Sequence, residues 1–406
     1  MQDRSEALPE SESRTTGVPG HVPPELVREF DFRTGLGDRP HEVVGALHGG
    51  PRIVYSTTNH HHVAGVGSWI PTRAEDIRAV LQDAEAFSSR VVRSSSALTL
   101  IPLELDPPEH GAFRAIMNPL FSPNRIKVLE AKIRDRARAL VENCAAKGES
   151  EYIDDFARPL PIGIFVDLMG LPPEDLERFL AWEKLIIHDM GARARTMKEV
   201  GDYLSGLIAD RRVHPTDDLI TFAVKSEIDG KPLSDAQVLG ICVLLFMAGL
   251  DTVTSALGFQ LRYLAEHPNE QQRLRDDPSL IPAAVEELLR AYAVVNTTRY
   301  ATRDVELAGV TIKKGDNVTC STILASRDPR EFERSDEVLL DRSPNLHNAF
   351  SYGPHRCIGS HLARRELVIG LEEWLKRIPP FRLKDGQALE AHGGGVFGLE
   401  ALPLVW

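Results

Sequence analysis

Phe350-Ser-Tyr-Gly353-Pro-His355-Arg356-Cys357-Ile-Gly359 is the stretch whose reading decides the fold. A cysteine stands between two glycines, with an aromatic residue seven positions ahead and a basic pair directly before it. The run from Ile358 to Arg377 is apolar on one face and rich in arginine, which predicts a helix that begins at the cysteine. Gly353 and Gly359 let the backbone turn tightly and approach a flat ligand. Loop amides and a helix N-terminus both favour an anionic sulfur, which suits Cys357 to a thiolate role. A lone thiolate in a tight loop is the kind of axial ligand that pushes electron density onto a haem iron. An isolated cysteine is more often an inert core residue, and Cys144, Cys242 and Cys320 are read that way. The fixed spacing of Phe350, Gly353, His355, Arg356 and Gly359 sets Cys357 apart.

The chain has 406 residues, 42% of them hydrophobic, which is enough for a large core. A formal net charge of −12 disfavours nucleic acid and anionic membranes as partners. No run of about 18 consecutive apolar residues is present, and the N-terminus is polar and acidic, so neither a membrane span nor a signal peptide is expected. Four scattered cysteines fit a reducing cytoplasm. Residues 1–20, rich in Ser, Glu, Thr and Pro, predict a disordered tail, and residues 21–406 a single domain.

Helical spacing of apolar residues predicts helices near 41–50, 73–83, 109–118, 124–147, 158–170, 173–188, 196–213, 234–267 and 281–293. Residues 52–56 and 67–71 predict a hairpin, 88–105 a mobile loop, and 304–320 and 381–405 the remaining strands. The fold class is therefore mainly α with a small β region. His60, His61 and His62 are read as a solvated loop, because neighbours on one short segment do not converge on one ion. Ala64-Gly-Val-Gly lacks the third glycine and following helix of a dinucleotide loop.

Within the 234–267 helix, with Ser234 as its N-cap, the apolar run from Val238 to Met247 breaks at Ala248-Gly249-Leu250-Asp251-Thr252. A threonine there can bond its hydroxyl to the carbonyl one turn earlier and bend the helix. Taken alone, this is a weak turn in a long helix. Glu287 and Arg290, at i and i+3, share a helix face and can pair, which is usually a surface feature.

The spacing Phe-x-x-Gly-x-x-x-Cys-x-Gly with its basic pair closely resembles the haem-binding loop of the cytochrome P450 family, from about residue 21 to the C-terminus. The resemblance implies a triangular helical prism with haem b between the long central helix and the cysteine-loop helix, and Cys357 as axial ligand to the iron. Ala-Gly-x-Asp-Thr resembles the family's oxygen-activating segment. Gly249 would leave room for dioxygen, Asp251 would relay protons and Thr252 would position them. Glu287 and Arg290 resemble the family's Glu-x-x-Arg, which Arg342 would complete as a structural brace. His110, Arg114, Arg299 and His355 would hold the haem propionates, and Phe350 would lie against the cofactor.

Leu250-Asp-Thr-Val, Ile281-Pro-Ala-Ala, Lys313-Lys-Gly-Asp, His361-Leu-Ala-Arg-Arg-Glu and Ala401-Leu-Pro-Leu-Val-Trp406 resemble the camphor-hydroxylase group. Leu98 stands where that group has a ketone-binding tyrosine, Leu103 where it has a threonine, and Thr297 where it has a haem-contacting aspartate. The implied pocket, lined by Leu98, Leu103, Met247, Val295, Val396 and Phe397, with Met190 a further candidate, is more apolar than camphor requires. The expected activity is hydroxylation of a small apolar terpenoid or norisoprenoid, ionone-like rather than camphor. Dioxygen would be the oxidant, with electrons from a [2Fe-2S] ferredoxin and its reductase. A cytoplasmic monomer is expected, with Arg73, Arg114, Arg364 and Arg365 as candidates for a docking patch. The alternatives are a peroxide-driven haem-thiolate enzyme, against which Asp251 and Thr252 argue, and a non-catalytic haem-based ligand binder.

Overall fold

A computed structural model describes residues 17–58, 67–90 and 98–406. The tail through residue 16, His60 to His62, Ala64-Gly-Val and the middle of the 88–105 loop lie outside the described residues. Apolar periodicity becomes helices α1 (Pro40–Gly45), α2 (Ala74–Gln82), α3 (Glu109–Met117), α4 (Pro123–Ala145), α5 (Pro159–Leu168), α6 (Leu176–His188) and α7 (Met190–Val213). They are followed by α8 (Leu219–Lys225), α9 (Asp235–Glu266), α10 (Pro268–Asp276), α11 (Ile281–Ala291), α12 (Thr322–Ser326) and α13 (Ser360–Arg377).

Helix α9 is the axis of the packing. It starts with a capping box: Ser234 Oγ accepts from the Gln237 amide at 3.3 Å, and Gln237 Oε1 accepts from the Ser234 amide at 2.8 Å. Its first half buries Val238, Ile241, Val243 and Phe246 in one apolar core with α5 to α8. Its second half buries Val253, Leu257, Leu261 and Leu264 in another core, with α4, α11 and α13. The weak turn at Ala248 to Thr252 is where the helix passes from one core to the other. By length and composition α9 could cross a bilayer, but most of its apolar surface is spent on these two cores.

The strands form a six-stranded sheet in the order Val27–Arg28, Ile53–Ser56, Ser68–Pro71, Asn317–Ser321, Asn296–Ala301, Phe87–Ser88. The expected hairpin is present, antiparallel from Ile53↔Pro71 to Ser56↔Ser68. Near the C-terminus, Ala391–His392 pairs antiparallel with Gly398–Leu399.

Several boundaries differ from the sequence expectation, each for a local reason. Helix α13 begins at Ser360, and Cys357 to Gly359 form the turn that leads into it. Helix α7 begins at Met190, because Asp189 caps it by accepting from the Ala192 amide at 2.9 Å. Helix α10 shows no apolar face beyond Leu274 and the aliphatic part of buried Gln271, and α12 is buried on every side. Periodicity therefore signals neither. Strand Asn296–Ala301 carries polar side chains between its buried positions, and pairing with Asn317–Ser321 fixes it.

Candidate functional site

Several parts of the chain converge on one largely apolar cavity. Helix α9 supplies Leu245, Ala248, Gly249, Thr252 and Val253, the cysteine turn supplies Cys357, Ile358 and Gly359, and α13 supplies Leu362, Ala363 and Glu366. Phe121 and residues of α5 close the wall. Cys357 is the one exposed cysteine among the four, and it is exposed to this cavity. Its turn is fixed by main-chain bonds: the Cys357 amide donates to Phe350 O at 2.9 Å and the Arg356 amide to Gly353 O at 3.0 Å. Gly353 has φ +70°, and a Cβ there would collide with the Leu81 carbonyl, so only glycine fits. The surrounding protein pushes the Cys357 thiol up. The Gly359 amide and the Arg114, Arg356 and Arg364 charges pull it the other way. Coordination to a metal would deprotonate the thiol outright, and the turn would then need only to present the sulfur. Cys144, Cys242 and Cys320 are buried, the last two pushed up to about 12 by burial, and behave as small hydrophobes.

Across the cavity, Thr252 Oγ1 donates to Ala248 O at 3.0 Å, a back-bond to the carbonyl one turn earlier. A Cβ at Gly249 would meet open space. Asp251 is buried and accepts from Ser255 Oγ at 3.0 Å.

Basic groups gather beside the cysteine turn without matching anions. Arg299 is 3% exposed, and its Nη1 donates only to Thr297 Oγ1 at 2.9 Å and Thr298 O at 3.0 Å. Among the described residues no carboxylate pairs with it. The rings of His110 and His355 lie 4.1 Å apart. Burial holds His110 down at about 4 and His355 at about 3, with Arg114 lowering both and Arg299 adding to each. His110 Nε2 and Thr298 Oγ1 are buried with no partner among the described residues, while His355 Nε2 lies 3.1 Å from Ser89 Oγ. Arg114 Nη1 donates to Arg356 O at 2.9 Å. A buried guanidinium without a carboxylate, next to an orphaned imidazole, is a site built for an anion. The two propionates of a haem b would satisfy that need, and Cys357 would then be the residue to meet its iron. Among the described residues no cluster of three or more His, Cys, Asp or Glu side chains could hold a bare metal ion.

Glu287 is fully buried on α11 and takes a bidentate bond from Arg290, at 2.8 and 2.9 Å. Arg342 Nε bonds both of its oxygens at 3.0 and 3.1 Å. The Leu339 amide and Asn345 Nδ2 complete the set at 2.8 and 3.1 Å. Arg290 also grips the carbonyls of Ser326, Ser335 and Glu337.

Other sequence-proposed residues are placed less centrally. Phe350 lies under the Arg364 guanidinium, 4.4 Å from its ring centroid. Val295 and Val396 form an antiparallel bridge. Phe397 is fully buried, edge-on to Phe32 at 6.1 Å. Leu98 and Met247 pack on the edge of the core of α5 to α8, and Leu103 is exposed. The side chain of Met190 lies outside the described part. Of the proposed docking arginines, Arg73 is buried and donates to the carbonyls of His48 and Gly50, so it forms no part of a surface patch. Arg364 pairs with Glu286 at 2.6 Å and Arg365 with Glu130 at 3.0 Å. The sequence reading missed Glu366, which lines the cavity and whose carboxyl burial pushes up to about 8. Its position nine residues after Cys357 on a helix was the available signal.

The chain matches the family model described as Cytochrome P450 over residues 179–385. It is 45% identical to the probable cytochrome P450 127A1 of Sinorhizobium fredii (strain NBRC 101917 / NGR234), over 97% of this chain and 98% of that protein. It is 36% identical to the mycinamicin IV hydroxylase/epoxidase of Micromonospora griseorubida, over 84% and 90%. The crystal structure of cytochrome P450 CYP101C1 superposes with a TM-score of 0.88 at 36% identity, covering 96% of this chain and all of the other. That of CYP101J2 superposes with a TM-score of 0.87 at 32% identity, covering 96% and 99%. The sulfur-bearing turn, the uncompensated basic cluster and these relationships together make this chain a member of the cytochrome P450 family, a haem b monooxygenase.

Proposed function

We propose that this monooxygenase hydroxylates a bulky apolar terpenoid or norisoprenoid ketone of the ionone type, with electrons from a [2Fe-2S] ferredoxin. What supports the substrate class is the apolar set of Leu98, Met247, Val295 and Val396, each partly buried on a core; Leu103 is exposed, and the cavity facing Cys357 is the space for the cofactor. With leucine at 98, where the resembled group has a ketone-binding tyrosine, selection rests on shape and apolar area. Bound haem supplies the dioxygen activation, and the protein holds it: Cys357 at the iron, and His110, Arg114, Arg299 and His355 at the propionates. Gly249 would leave room for dioxygen beside the bound cofactor, and Thr252 and Asp251 would position the protons that the reaction consumes. The ferredoxin would dock on the cysteine side, where Arg114 and exposed Arg356 stand.

The test is a spin-state titration of the ferric protein by absorbance. β-Ionone is expected to shift the haem to high spin at concentrations at least about tenfold below those camphor needs, a difference of about 1.4 kcal/mol. An equal or stronger response to camphor would overturn the substrate assignment and leave the enzyme class standing. In a turnover assay, Thr252→Ala is expected to lower product formed per dioxygen consumed on the order of tenfold or more, with hydrogen peroxide making up the difference. Unchanged coupling would remove Thr252 from the proton path.

A further inference from the structure

Asp251 lies beside the cavity but is itself buried, and something must connect it to solvent. The group in place is His392. Its Nε2 lies 3.7 Å from Asp251 Oδ2, and its Nδ1 lies 3.0 Å from Glu400 Oε1. Its side chain is 20% exposed, against 8% for Asp251, so the ring spans the boundary between solvent and the buried carboxylate. The fold makes room for this. His392 is the register partner of Gly398 in the C-terminal hairpin. A Cβ at Gly398 would come within 2.6 Å of both His392 Nε2 and Ser255 Oγ. Ser255 is the residue that bonds the other oxygen of Asp251. Only glycine at 398 therefore lets the imidazole lie against α9.

We infer that His392 is a proton-positioning residue, the entry group that loads Asp251 from solvent. The Nε2 proton of the imidazolium passes to Asp251 Oδ2 after a small ring rotation closes the 3.7 Å gap. The neutral ring keeps its Nδ1–H on Glu400 in this position; Nε2 is itself buried, so a turn of the ring toward its exposed edge brings Nε2 to the water that restores its proton. No electrons move. The electrostatics agree. Burial lowers the His392 pKa, but the hydrogen bonds and charges of Asp251 and Glu400 overcome it and raise the group to about 9. The ring is thus cationic at neutral pH and loses its proton as the pH rises through about 9, so relay through it should fail on the alkaline side. The inference rests on membership of the monooxygenase family and is independent of the substrate assignment.

Two measurements test it on the holoenzyme. In the reduced carbon monoxide complex, nitrogen-15 NMR of the imidazoles should show His392 titrating near about 9, and Asp251→Asn should lower that midpoint by at least about one unit. An unmoved midpoint would overturn the coupling. Dioxygen consumption driven by a surrogate ferredoxin and its reductase, without added substrate, gives the second readout. The wild-type rate should fall above pH 9. His392→Gln should be about tenfold slower at pH 7 and lack that limb. His392→Lys should recover the rate and carry the limb upward, toward the ordinary lysine value of about 10.4. A lysine ion pair with a purely structural role would leave the limb unmoved, and a His392→Gln variant with the wild-type profile would overturn the assignment.

Discussion

Glu287→Ala is expected to yield protein with little or no haem. The carboxylate is fully buried and is bonded by two guanidinium groups, one main-chain amide and the Asn345 side-chain amide. Removing it leaves Arg290, itself fully buried, with an uncompensated charge. Breaking a buried pair in this way costs about 3–5 kcal/mol, a large share of the roughly 5–15 kcal/mol that keeps a domain folded. The loss falls on the segment that leads into the cysteine turn, because Arg342, Leu339 and Asn345 are all on it. The ratio of haem to protein absorbance should collapse, and the apparent unfolding temperature should drop. Glu287→Gln keeps the shape and one acceptor and should fall between. Full haem content and an unchanged unfolding temperature in the alanine variant would show that the cluster is not a brace.

Cys357→Ser is expected to abolish monooxygenase turnover while leaving the fold intact. The turn that carries residue 357 is held by its own amides and by the glycine at 353, none of which depends on the sulfur. The basic cluster around Arg299 is also unaffected, so a variant that still takes up haem is the expected product. What would be lost is the electron-rich sulfur that the proposed function places at the iron. The absorbance of the reduced carbon monoxide complex should change in character, and product should fall below detection. Serine at Cys144, Cys242 or Cys320 should leave that spectrum unchanged, because all three thiols are in core positions. A Cys357→Ser variant with wild-type turnover would remove the residue from the chemistry altogether.

The parts legible in the sequence were those in which local chemistry and global role coincide. The cysteine turn shows itself because glycine, aromatic and basic residues are each needed within ten positions. Helix α9 shows itself because its cap and its apolar run are contiguous. What stayed hidden depends on distance in space. Helix α12 has no polar face to create a period, and strand Asn296–Ala301 is specified by its pairing partners. Arg73 reads as a surface cation, yet His48 and Gly50, more than twenty residues earlier, supply the carbonyls that bury it. His392 and Glu400 are unremarkable at a spacing of eight until the hairpin folds their pair onto α9. Thr297, which departs from the resembled group, accepts from Arg299 and steadies it.

Arg290 and Arg342 hold residues 326–337 chiefly by main-chain oxygens, those of Ser326, Glu333, Arg334, Ser335 and Glu337. A carbonyl is the same on every residue type. The path of this segment is therefore written into two arginines and one glutamate elsewhere, and its outward side chains are free to drift. The surface of this segment can be rewritten while the route of the backbone beneath it stays fixed.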